Sequence, residues 1–71
     1  MKLMNTSYKP EVLVDGQWSS NSLRFATSEE ALASARELMN RWFVVADWRA
    51  GTSNAVVNYR FDFDGNINVR L

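Results

Sequence analysis

The stretch Phe25 to Arg49, FATSEEALASARELMNRWFVVADWR, decides the fold, because it runs from a capped helix into a strand with no linker between them. Thr27 and Glu30 have the spacing of a capping box, in which two orphan backbone N–H groups at a helix start are satisfied reciprocally. Ala31, Ala35, Leu38, Met39 and Trp42 then recur at helical spacing, predicting a helix from Ser28 to Trp42. Val44, Ala46 and Trp48 alternate as one face of a strand does, and the reading continues that strand from Phe43 to Ala50. A helix laid on a sheet follows.

Outward from that block, the pattern predicts a first strand over Tyr8 to Val14, with Pro10 at its beginning or on an exposed edge. Asp15-Gly16 and Ser19-Ser20-Asn21 carry turn chemistry around Trp18, and Leu23-Arg24-Phe25 makes a short second strand. After the third strand, Gly51 to Asn54 turns the chain into a fourth over Ala55 to Phe63, which would pair with the third. A fifth strand carries Ile67, Val69 and Leu71. The expected architecture is α+β: a single antiparallel sheet in the order β-β-α-β-β-β, with one helix across one face. Residues 1–71 make one small domain, with residues 1–7 frayed at the terminus.

The last hairpin can be read to the register. A two-residue Asp64-Gly65 loop would set Phe61 opposite Asn68 and mix apolar with polar residues on one face. A three-residue Asp64-Gly65-Asn66 loop, with Asn66 left-handed, pairs Phe63 with Ile67, Phe61 with Val69 and Tyr59 with Leu71. The second register keeps the inner face apolar and is preferred. It places Arg60 across from Arg70 on the open face, where alternation also puts Arg24 and Arg49, interspersed with Asn58 and Asn68. Arginine and asparagine suit phosphates, carboxylates and base edges. A solvated face explains the same residues, since Asp47 and Asp62 alternate onto it.

Composition narrows the chemistry. The 71 residues contain neither Cys nor His, which excludes disulfides, thiolate chemistry, Ser-His-Asp triads and the usual zinc sites. Eight basic and eight acidic side chains cancel, which argues against a polyelectrolyte role. Asp62, Asp64, Asn66 and Asn68 resemble a calcium loop, but Gly65 falls at loop position four where an EF-hand needs it at six. No metal and no cofactor are expected. Carboxylate pairs such as Glu29/Glu30 and Asp62/Asp64 are accounted for by helix-start and turn preferences, and the chain is not expected to be an enzyme. No stretch could span a bilayer and no signal-peptide core is present, which predicts a cytoplasmic protein.

Trp18 lies outside the helix and strand patterns, either as a lid on a small core or as a partner anchor of the kind enriched at interface hot spots. Two functions therefore remain. The first is a non-enzymatic protein-binding module acting through the open face, Trp18 or a strand edge, which could also pair with a second copy. The alternative is a nucleic-acid-associated protein holding phosphates through Arg24, Arg49, Arg60 and Arg70. Zero net charge and the lack of a nucleic-acid motif favour the first.

The runs Trp18…Asn21-Ser22-Leu23-Arg24-Phe25-Ala26-Thr27-Ser28-Glu29-Glu30-Ala31, Ala35-Arg36-Glu37-Leu38-Met39-Asn40-Arg41-Trp42 and Val45…Asp47-Trp48-Arg49…Ser53…Val57-Asn58-Tyr59 resemble a group of short bacteriophage and phage-like bacterial proteins. The resemblance covers about Tyr8 to Tyr59 and carries no assigned activity. It implies a mobile-element origin and the gene class of small accessory proteins that bind and redirect one host or phage component, inhibitors of host defence among them.

Overall fold

A computed structural model of the chain describes residues 6–41 and 44–71. Strands β1 (Ser7–Val14) and β2 (Gln17–Ser20) precede helix α1 (Ser28–Arg41), followed by β3 (Asp47–Ser53), β4 (Tyr59–Asp62) and β5 (Ile67–Arg70). The fold is α+β with antiparallel pairing throughout and the helix packed on the sheet. The strands divide into two sheets, ordered β2-β1-β3 and β4-β5, where one had been expected. The expectations for residues 1–5 and for Trp42 and Phe43 lie outside the described residues.

The helix forms as its sequence predicts. The Thr27 hydroxyl oxygen accepts the Glu30 N–H at 3.2 Å, as an N-cap should. The reciprocal half of the expected capping box does not form: in place of the Thr27 backbone N–H, Glu30 Oε1 accepts the Thr27 hydroxyl, and Oε2 accepts the backbone N–H of Phe61 in β4 at 3.0 Å. Ala31, Ser34 and Ala35 face inward. The apolar contacts fall into two clusters. Val12, Ala35 and Val45 form one, joined by Leu38, Met39 and Trp48; Phe25, Ala31 and Phe61 form the other, joined by Tyr8 and Tyr59.

The second strand is a correction. It runs over Gln17–Ser20, and Leu23–Phe25 makes only a bridge from Phe25 to Tyr8. Asp15 and Gly16 both have positive φ (53° and 78°) and form a two-residue hairpin loop that pairs Val14 with Gln17. The polar run Gln-Trp-Ser-Ser pairs because that turn delivers it to β1.

Pro10 is likewise not at an edge. It is fully buried in the central strand, opposite Ala50. Tyr8 exchanges both backbone bonds with Phe25, so alternation aims the backbone of Pro10 at the same side of β1. There pairing lapses between Ser20 and Phe25, and no N–H is needed. Ser7, expected to be frayed, is buried, and its hydroxyl donates to the Ala55 carbonyl at 2.6 Å and approaches that of Ser53 at 3.3 Å.

β3 begins later than expected and continues through Gly51, which is not a turn residue. A Cβ at Gly51 would lie 2.8 Å from the Glu11 carboxyl carbon, so any larger residue there would push that carboxylate aside. Ahead of the strand, Val45 is the buried residue, Val44 is exposed and the Ala46 N–H bonds to Leu13. β3 pairs with β1 and not with β4, so the pairing expected between the third and fourth strands does not form. The fourth strand is shorter than Ala55 to Phe63 because 55–58 do not pair as a strand: the Ala55 carbonyl accepts the Ser7 hydroxyl and the Asn58 N–H bonds to the Arg24 carbonyl.

The final hairpin adopts the disfavoured register: Phe61 faces Asn68, Tyr59 faces Arg70 and Arg60 faces Val69. Asp62 closes the turn by accepting the N–H groups of Asp64 and Gly65, and Asn66 takes the left-handed conformation (φ 58°). Inward-facing Asn68 is satisfied by the Ser34 hydroxyl at 2.7 Å, so the core tolerates it. Arg60 and Arg70 therefore lie on opposite faces.

Candidate interaction site on the open sheet face

Directly paired residues share a face, so the helix-free side of the three-stranded sheet carries Trp18, Leu13 and Asp47 in one row and Ser20, Glu11 and Arg49 in the next. Lys9 lies one row further on, opposite Gly51. Arg49 is held twice. Its guanidinium carbon stands 4.0 Å from the Trp18 ring centroid, and its Nε donates to Glu11 Oε1 at 2.6 Å. Lys9 Nζ lies 3.6 Å from the other Glu11 oxygen. Glu11 is thus a carboxylate flanked by two cations, close against Gly51, with its side chain only 13% exposed.

The electrostatics are modest in energy and specific in geometry. An exposed cation–π contact contributes about 0.5–1 kcal/mol, and surface ion pairs about 0–1 kcal/mol. Their effect is orientation: tryptophan face and carboxylate edge leave the guanidinium few rotamers. Its terminal nitrogens have no partner among the described residues, and they match carboxylates or carbonyls of an incoming molecule.

Of the candidate residues, Trp18 and Arg49 are brought together. Arg24 is not part of the patch. Its Nε donates to Ser53 Oγ at 3.1 Å and a terminal nitrogen donates to the carbonyls of Asn21 and Leu23, which ties the end of β3 to the loop before the helix. Asn58 is also occupied, accepting the Arg24 N–H at 2.8 Å and donating to the Ser22 carbonyl at 3.0 Å. Asn68 and Arg70 lie on the helix side of β5, and Arg60 lies on the opposite side beside Val69. The four arginines do not form one surface.

Sequence reasoning passed over Glu11, Lys9 and Leu13. Their alternation along β1 was legible, but their place beside Arg49 and Trp18 follows from strand pairing, which no local pattern reveals. Elsewhere, a shallow cleft of about 330 Å³ opens where β2 leaves β1, lined by Pro10, Val12, Ser19, Ser20, Asn21 and Leu38, with no titratable side chain among them. Among the described residues no group of three or more His, Cys, Asp or Glu side chains could hold a metal ion, and no helix is long and apolar enough to cross a membrane. Comparison with protein-family models, curated proteins and solved structures gives no match to this chain.

Proposed function

We propose that the protein is a non-enzymatic binding module that recognises a protein partner through the open face, with Trp18 and Arg49 as its anchors. The observation that carries this reading is the stacked pair itself: an Arg laid on a Trp face and against Glu11, on a sheet surface that the helix does not cover. Trp and Arg dominate interface hot spots because each offers a large contact area together with directional polar bonds. Leu13 beside Trp18 adds apolar area, and Lys9 and Asp47 supply a charged margin. The resemblance to phage-like accessory proteins supports a partner in the host cytoplasm, redirected by stoichiometric binding.

The nucleic-acid alternative has less support. It needs four arginines on one face, whereas Arg24 is bound to backbone carbonyls and Arg70 lies on the opposite side from Arg60.

The test is an affinity capture from host lysate with and without nuclease, using wild-type protein, Trp18→Ala and Arg49→Ala. The expected outcome is one protein retained at near-stoichiometric amount despite nuclease, with each variant weakening purified-partner binding by about 2 kcal/mol, roughly thirty-fold in Kd. Thermal stability of Trp18→Ala should stay close to wild type. Captured material that disappears with nuclease, or a large fall in Tm for Trp18→Ala, would overturn the assignment.

A further inference from the structure

We infer that β5 is an assembly edge through which two copies of this chain pair antiparallel about Val69. The inference starts from the backbone. The Leu71 N–H bonds to the Asn58 carbonyl, so residues 67, 69 and 71 direct their backbone groups at β4. Asn68 and Arg70 then direct theirs outward, where no partner exists among the described residues. An open row of this kind is a template for another strand.

The other edges are closed or have little to bury. In β4 the outward N–H of Phe61 is taken by Glu30, and that of Tyr59 by the Arg24 carbonyl. In β3 the first of three outward N–H groups, that of Trp48, bonds to the Asp47 carboxylate at 2.8 Å, and the open-face residues Asp47, Arg49, Gly51 and Ser53 offer a second copy no apolar stripe to bury. β2 carries Gln17 and Ser19 on one face and only Trp18, already stacked, as an apolar group on the other. β5 has no lysine, proline or bulge to discourage pairing.

Its sequence selects the occupant. Ile67, Val69 and Leu71 share the open face, with Ile67 and Leu71 54% and 68% exposed. Ile-Asn-Val-Arg-Leu is symmetric about Val69 in chemical type. A two-fold axis there sets Val69 against its own copy, Ile67 against Leu71 of the second copy, and Asn68 against Arg70 of the second copy. Apolar meets apolar on one face and an amide meets a guanidinium on the other. Shifting the axis to residue 70 would oppose two arginines, which is destabilising. The self-complementary register is thus the one that leaves the backbone bonds, the apolar stripe and the charges all satisfied, as an isologous dimer requires.

The chain has no cysteine, which makes the test direct. Val69 would form a non-hydrogen-bonded pair with its copy, with Cα atoms about 4.5 Å apart, within reach of a disulfide. Val69→Cys should give a disulfide-linked dimer under mild oxidation. Ile67→Cys should not, since its own copy would lie about 14 Å away along the strands. Light scattering of the wild-type chain should show the mass doubling as concentration rises. Arg70→Pro removes only an outward N–H, so its far-ultraviolet spectrum should match wild type while the dimer is lost. A monomeric mass at every concentration would overturn the inference, as would equal cross-linking at Ile67→Cys or a dimer that survives in folded Arg70→Pro. Trp18→Ala should leave the dimer intact, which separates this inference from the proposed partner site.

Discussion

Glu30 illustrates how much one side chain can hold. A single carboxylate accepts the Thr27 hydroxyl, fixing the helix cap, and the Phe61 N–H, fixing β4 against the helix. Removing it leaves a strand amide without its acceptor, which costs about 1–3 kcal/mol. Glu30→Ala should therefore lower the unfolding free energy by that amount in urea titrations, while exposed Glu29→Ala changes it by less than about 0.5 kcal/mol. Gly51 offers a second prediction. Gly51→Ala should be less favourable in the wild-type chain than where Glu11 is absent, because the new methyl displaces Glu11 from Lys9 and Arg49. In a Glu11→Ala background the obstacle is gone, and the substitution should stabilise by about 0.5–1 kcal/mol through the loss of glycine's chain entropy. A double-mutant cycle in denaturant measures the coupling.

Among the elements, the helix was the most legible. Its cap, its apolar spacing and the Glu37–Arg41 pair all lie within reach of local rules. The strands were less so. Asp15-Gly16 signals a hairpin as strongly as Asp64-Gly65, yet Gln17–Ser20 lacks the apolar alternation that usually marks a strand. The last hairpin misled for the opposite reason: an apolar inner face was assumed, while the helix offers it polar partners at Glu30, Ser34 and Glu37. These three helix residues hold Phe61, Asn68 and Asn66 respectively, a seam of hydrogen bonds where apolar packing was expected. Such a seam predicts a separable unit. Ser34→Ala should speed hydrogen exchange at Val69 and Leu71 and leave the amides of β1 unaffected, read by nuclear magnetic resonance.

At the scale of the molecule, pairing partners were what the sequence could not convey. Alternation says which side a residue faces and nothing about which strand lies beside it, so Glu11 could not be placed next to Arg49 nor β4 away from β3. The result is a thin slab, 42 × 29 × 16 Å, with one helix over a divided sheet and, among the described residues, two small apolar clusters beneath it. So little core makes each large buried side chain critical. Phe25 is fully buried between β1 and the helix, and Phe25→Ala should cost about 3–5 kcal/mol. A domain of this length has roughly 4–10 kcal/mol in all, so that variant should lose much of its cooperative thermal transition, followed by circular dichroism.

The central position of β1 and the marginal position of β5 also give the molecule a mechanical polarity. Traction applied at the Leu71 side meets a two-stranded ribbon that can open one rung at a time, like a zip. Traction applied at the Ser7 side must shear a strand gripped along both flanks and clasped by its own serine hydroxyl. An unfolding motor that threads the chain from the β5 end should therefore clear it faster than one that begins at β1, even though both erase the same native state.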